Sequence, residues 1–150
     1  MPTNLFGPGD NYNLETSHVF AALIKKFHNA KMNNDSNVTL WGSGNPKREF
    51  LHVDHLATVI IFAIENKLAE ATYNVGSGNE ISIKELANLI KKITKYEGGI
   101  IWDKTKPDGT PRKYLDSSKI QSKISFSDTN LEKSIKSTYK YFVSRESKFI

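Results

Sequence analysis

Strand-like and helix-like apolar spacings alternate along these 150 residues, which predicts an α/β fold: a small mixed sheet packed with helices, in a single domain over residues 1–150. Two further observations support it. Several helical patterns open on a residue able to cap them, and two strand-like runs close on a Gly-Ser-Gly turn, at 42–44 and 76–78. A 38% hydrophobic and 25% charged composition excludes a disordered chain and supplies a core for one domain.

The elements follow in order. Pro2 to Asp10 is turn-rich and reads as a loop following a strand that lies outside this sequence. From Ser17, Val19, Ala22, Leu23 and Phe27 keep helical spacing, with Thr16 or Ser17 as N-cap and an end near Lys31. Val38 to Trp41 and Glu49 to His52 are strands. Asp54 caps a second helix that buries Leu56, Val59, Ile60, Ala63 and Ile64 on one side. Thr72 to Val75 is another strand. Ser82-x-x-Glu85 is a capping box that opens a helix with Leu86, Leu89, Ile90 and Ile93 on one face. A strand at Gly99 to Trp102, a loop at 106–111, a helical turn between Tyr114 and Ile120, and a last helix from near Asp128 complete the chain.

The chain has no cysteine, which removes disulfides, thiolate metal sites and cysteine nucleophiles. Its longest apolar run, Ala57 to Ile64, is too short to span a bilayer, and no basic-then-apolar leader precedes it, so a soluble cytoplasmic protein is expected. Net charge is +5, from 21 Lys and Arg against 16 Asp and Glu. The lysines are scattered rather than interleaved with stacking aromatics, so no nucleic-acid partner is expected. His52 and His55 flank Asp54, but no further ligand cluster completes a coordination shell and no metal is expected.

The unusual residues sit in turns. Gly42 to Val53, GSGNPKREFLHV, is either an ordinary turn entering a strand or a loop that holds an anion. Arg48 can grip phosphate or carboxylate through two parallel hydrogen bonds. Trp41, just before it, either flanks a planar base or packs in the core. His18 stands at a helix start, where the dipole favours a neutral, hydrogen-bonding imidazole, or is a plain surface residue. Asp108 lies in a rigid Lys-Pro-Asp-Gly-Thr-Pro turn and can accept from a sugar hydroxyl, or lie in a plain surface turn. No glycine-rich dinucleotide fingerprint, P-loop or Tyr-x-x-x-Lys occurs.

Pro-Thr-Asn-Leu-Phe-Gly-Pro-Gly-Asp at 2–10, Ser-His-Val at 17–19, Trp-Gly-Ser-Gly-Asn-Pro-Lys-Arg-Glu-Phe-Leu-His-Val-Asp at 41–54, Asn-Val-Gly-Ser-Gly at 74–78 and Lys-Pro-Asp-Gly-Thr-Pro-Arg-Lys at 106–113 occur in that order. Together they resemble the C-terminal, substrate-binding half of the GDP-L-fucose synthase family, within the extended short-chain dehydrogenases/reductases. The resemblance implies a Rossmann-like enzyme whose N-terminal Rossmann core is missing here. It implies NADPH-dependent epimerisation at C3 and C5 and reduction at C4 of GDP-4-dehydro-6-deoxy-D-mannose.

By the same resemblance, Pro2, Thr3, Asn4, Leu5 and His18 would meet the NADP(H) cofactor, with His18 also the catalytic acid. Lys26, Trp41, Arg48 and Asp108 would contact the GDP-sugar. Helical phase alone aligns His18 with Lys25 better than with Lys26. Family members are homodimers, and a separate chain carrying the Rossmann half is an implied partner. A non-catalytic nucleotide-sugar-binding fragment and another nucleotide-sugar epimerase or dehydratase remain open. Without its sheet partner, the chain is expected to expose apolar surface near residues 1–31 and 49–64.

Overall fold

In the computed structural model, residues 1–68, 72–124 and 130–146 are described. The elements are β1 (Asn4–Phe6), α1 (Val19–Asn33), β2 (Asn37–Trp41), β3 (Lys47–His52), α2 (Val53–Glu65), β4 (Glu80–Ser82), α3 (Ile83–Thr94), β5 (Gly99–Asp103), β6 (Arg112–Lys113), α4 (Ser118–Gln121) and α5 (Leu131–Glu146).

β3 organises the larger sheet. Its second half pairs in parallel with β1, Asn4 opposite Phe50 and Phe6 opposite His52. Its first half pairs antiparallel with β4 and parallel with β6. β2 and β5 form a separate parallel pair. Alternation along β3 separates two cores. Phe50 joins Phe6, Phe20, Phe27, Leu86, Ile90 and Phe142 in the main one, whereas Leu51 joins Val59, Val75 and Ile120 in a smaller one.

Several elements differ from expectation. The segment 2–10 contains a strand, β1, because Asn4 to Phe6 find a parallel partner distant in sequence. Thr72 to Val75 contributes only an isolated bridge from Val75 to Pro2. The short β4 and β6 carry no run of alternating residues of their own and exist through pairing with β3. His18, not Thr16 or Ser17, is the N-cap of α1, and it makes no capping side-chain hydrogen bond. His52, not Asp54, caps α2, its ring nitrogen accepting from the Asp54 N–H at 3.3 Å. The capping box of α3 forms as expected, with Ser82 and Glu85 bonded reciprocally. Asp128 lies outside the described residues; Asn130 accepts from the N–H of Glu132 and Lys133 at the start of α5.

α2 departs furthest. Of its described side chains only Val59 is fully buried, while Ile60, Ile61 and Ile64 are 50%, 56% and 72% exposed. The expected one-sided burial fails because the apolar arc is wide, with only Asp54, Thr58 and Glu65 forming an exposed polar strip, and only its Val59 side is buried among the described residues.

α5 packs on α1 through a polar contact inside an aromatic cluster. His28 Nδ1 lies 3.0 Å from the Tyr139 hydroxyl, and the His28 ring meets Phe142 edge-on. Burial pushes the His28 pKa down, helped by Lys25 and Lys31 and opposed by Glu146. The unfolded chain therefore binds more protons, so stability is full above pH 6.5, the ordinary histidine value, and is lost as pH falls through the folded value. Thermal melts from pH 7.5 to 5 should show a falling midpoint that is flatter in His28→Gln; equal slopes would show that His28 does not set the dependence.

Candidate functional site

A cleft of about 770 Å³ opens where β1, the start of α1 and the loops after β2 and β5 converge. One wall carries Thr3, Asn4 and Leu5 from β1 and its approach, with Asp10 and His18. The other carries Trp41, Arg48, Asp108 and Lys113. Of the candidate residues, Pro2 and Lys26 do not line it.

Each position has a local cause. The pleat of β2 sends Val38 and Leu40 into the core and turns Trp41 outward, where its indole is 66% exposed. Trp41 is thus not a core residue. Lys26 lies behind it, its ammonium 5.9 Å from the indole centroid and donating to the Thr39 carbonyl at 3.2 Å. Burial lowers the Lys26 pKa. Lys106 approaches the same indole, 5.7 Å from its centroid. Lys25, favoured by helical phase, is instead committed to Glu146 of α5 at 2.9 Å.

Asp108 closes the glycine loop. Its carboxylate accepts from the Ser43 N–H at 2.5 Å and the Ser43 hydroxyl at 2.7 Å, which hold its pKa below the usual carboxylate range. Gly42 has φ +78°, and a Cβ there would lie 2.3 Å from the Asp108 Oδ1, so glycine is required on both counts. Asp108 therefore shapes the loop with its carboxylate already engaged.

Arg48 stands opposite Lys113 on the neighbouring parallel strand. A bidentate pair between Arg112 and Glu80, at 2.8 and 2.7 Å, fastens the strand that presents Lys113. Two cations at matched positions on adjacent strands suit an extended anion better than one arginine could. Sequence reasoning gave Lys113 no role because β6 is too short to show a pattern. Asp10 was likewise passed over. It is partly buried beside His18, and burial raises its pKa.

Glu49 ties the walls together. It is fully buried, and its carboxyl accepts from the Gly78 N–H at 2.8 Å and the Leu115 N–H at 3.4 Å. Its carbonyl accepts from the Asn4 side-chain amide at 2.8 Å and the Thr3 hydroxyl at 3.3 Å. A Cβ on Gly76 would lie 2.4 Å from the carboxyl. The residues on either side, Arg48 and Phe50, both line the cleft.

Among the described residues, no group of three or more His, Cys, Asp and Glu side chains could hold a metal ion. No helix among them is long and apolar enough to cross a membrane.

Residues 1–76 match the NAD dependent epimerase/dehydratase family, and the chain belongs to that family. It is 50% identical to the probable GDP-L-fucose synthase 1 of Oryza sativa subsp. japonica over 95% of its own length and 44% of the relative's. It is 41% identical to the GDP-L-fucose synthase of Escherichia coli K12 over 99% of its length and 49% of that protein's. The chain thus spans about half the length of the curated relatives it matches. Its fold superposes with a TM-score of 0.90 on a GDP-L-fucose synthetase from Naegleria fowleri bound to NADP, at 30% identity, covering 97% of this chain and 46% of that one. The architecture is that of the C-terminal part of the extended dehydrogenase/reductase fold.

Removing the Glu49 carboxyl leaves two inward-facing N–H groups without acceptors. Glu49→Ala should lose about 2–4 kcal/mol in urea unfolding, and Glu49→Gln, which keeps one acceptor oxygen, about half that. An unchanged Glu49→Ala midpoint would remove the tie from the account.

Proposed function

We propose that the cleft binds a GDP-sugar and that this chain supplies the substrate side of a GDP-L-fucose synthase-like enzyme. The carrying observation is the pairing of Arg48 and Lys113 across β3 and β6, with the exposed Trp41 at the same cleft. Two cations on adjacent strands suit a diphosphate, and an open indole suits a planar base. Lys26, behind the indole, adds positive potential, and Asp108 holds the loop between Trp41 and Arg48. Its remaining acceptor capacity can serve a sugar or ribose hydroxyl.

His18, exposed at the mouth of α1 beside Asp10, is the group placed to return a proton to a carbon next to a carbonyl, as epimerisation requires. Thr3, Asn4 and Leu5 form the wall against which one end of NADP(H) would lie, and Pro2 adjoins it. The fit is partial. These residues can flank the cofactor's reactive end, but the chain has no glycine-rich turn for the pyrophosphate. NADPH, when bound, supplies hydride to the C4 ketone. A second polypeptide segment carrying the dinucleotide fingerprint and the Tyr-x-x-x-Lys pair is therefore the partner this reading requires. Binding of a GDP-sugar without turnover is the corresponding function of the chain alone.

Calorimetric titration with GDP, with UDP as the control, tests the reading. GDP should bind in preference to UDP, and Arg48→Ala should weaken it about 10- to 100-fold, the loss of one charge-assisted contact pair. Equal affinity for both nucleotides, or an Arg48→Ala variant that binds like wild type, would count against the assignment.

A further inference from the structure

Two ammonium groups approach the exposed indole of Trp41, and they are held differently. Lys26, partly buried on α1, donates to the Thr39 carbonyl at 3.2 Å and lies 5.9 Å from the indole centroid. Lys106 is exposed on the loop after β5, its ammonium 5.7 Å from the same centroid. The backbone that carries it is fixed. The Asp103 carbonyl accepts from the Lys106 N–H at 3.2 Å, and the Asp103 carboxylate accepts from the Thr105 N–H at 3.0 Å and the Thr105 hydroxyl at 2.6 Å. Asp103 is also the register partner of Trp41, so the turn bearing Lys106 is anchored beside the indole. Pro107 and Asp108, next in the chain, line the cleft, and Asp108 is fastened to Ser43 in the loop after Trp41. Lys106 thus stands at the cleft rim on a set backbone, with its stem open to water.

A base stacked on Trp41 presents its face to the indole, and every base has such a face, so stacking alone does not select among them. The edge does. A lysine ammonium only donates. Guanine and hypoxanthine offer two adjacent acceptors, O6 and N7, whereas adenine puts an amino donor in place of O6. A cation over an exposed ring is held weakly. Exchanging the indole face for a charge-assisted hydrogen bond is therefore favoured where two acceptors converge and opposed where an amino group points back.

We propose that Lys106 selects the base, reading a 6-oxopurine nucleotide at O6 and N7. This rests on the function proposed above and deepens it by naming the chemical group recognised and the residue that reads it. Lys26 suits the role less, because its ammonium is tied to the Thr39 carbonyl. Arg48 and Lys113, paired across β3 and β6, suit the diphosphate, which all nucleoside diphosphates share, and so carry no base preference.

The test titrates the intact chain by calorimetry with GDP, ADP and inosine diphosphate, which keeps O6 and N7 but lacks the 2-amino group of guanine. Wild type should bind GDP and inosine diphosphate alike and ADP about tenfold more weakly. Lys106→Ala should weaken the two 6-oxopurines about tenfold and leave ADP nearly unchanged, and Lys106→Arg should restore the preference. Arg48→Ala should weaken all three by the same factor. Removing any one cation from a chain of net charge +5 lowers affinity for every diphosphate, so the ratio between bases is the readout. Lys106 is exposed, and matching thermal melts serve as the folding control. A GDP-to-ADP ratio unchanged in Lys106→Ala overturns the inference and leaves the proposed function standing. Preference for GDP over inosine diphosphate by about tenfold or more also overturns it, since selection then falls on the 2-amino group. A wild-type chain that binds none of the three sinks the proposed function and this inference with it.

Discussion

A carboxyl group with none of its surface open to water must find hydrogen-bond donors, and Glu49 finds them in the backbone of two distant segments. The Gly78 and Leu115 N–H groups come from loops that no regular pairing holds at those points. The same residue's carbonyl takes the side chains of Thr3 and Asn4. Three stretches of chain, separated by up to 66 residues from Glu49, are thereby referred to one position in β3. The adjacent residues in that strand carry the result into the cleft: Arg48 lines it, and so does Phe50, whose ring lies 5.5 Å from that of Phe20.

That arrangement explains why the walls can be made of short elements. β1 has three residues and β6 two, lengths that have no stability of their own. They persist because β3 pairs with both, and because Arg112 and Glu80 add an exposed fork that closes β6 toward β4. The exposed face of α2 shows the opposite condition. There the sequence supplies apolar side chains but the described chain supplies no layer to receive them.

Legibility in the sequence followed the length of the pattern. α3 could be read closely because its capping box and its i, i+3, i+4, i+7 stripe are local. β2 was equally plain, and its alternation contained the answer for Trp41: with Val38 and Leu40 inward, the indole had to point out. β1, β4 and β6 were not legible, because pairing with β3 and not propensity makes them strands. The α2 stripe was read as ordinary one-sided burial, since periodicity reports an apolar helix but not whether a partner is present. In the site, the order of the turn motifs carried the resemblance. Lys113 escaped because its meaning lies in its register opposite Arg48, and Glu49 because a glutamate in a strand looks solvent-facing until both of its neighbours in space are known.

Amide hydrogen exchange of the intact chain, followed residue by residue, tests the central claim that one buried carboxyl holds the cleft together. If it does, the Gly78 and Leu115 amides, though in loops, exchange only with opening of the main core and at rates close to those of β3. Exchange of both at the rates of exposed loops, while β3 stays protected, would contradict the account and leave the two walls independent.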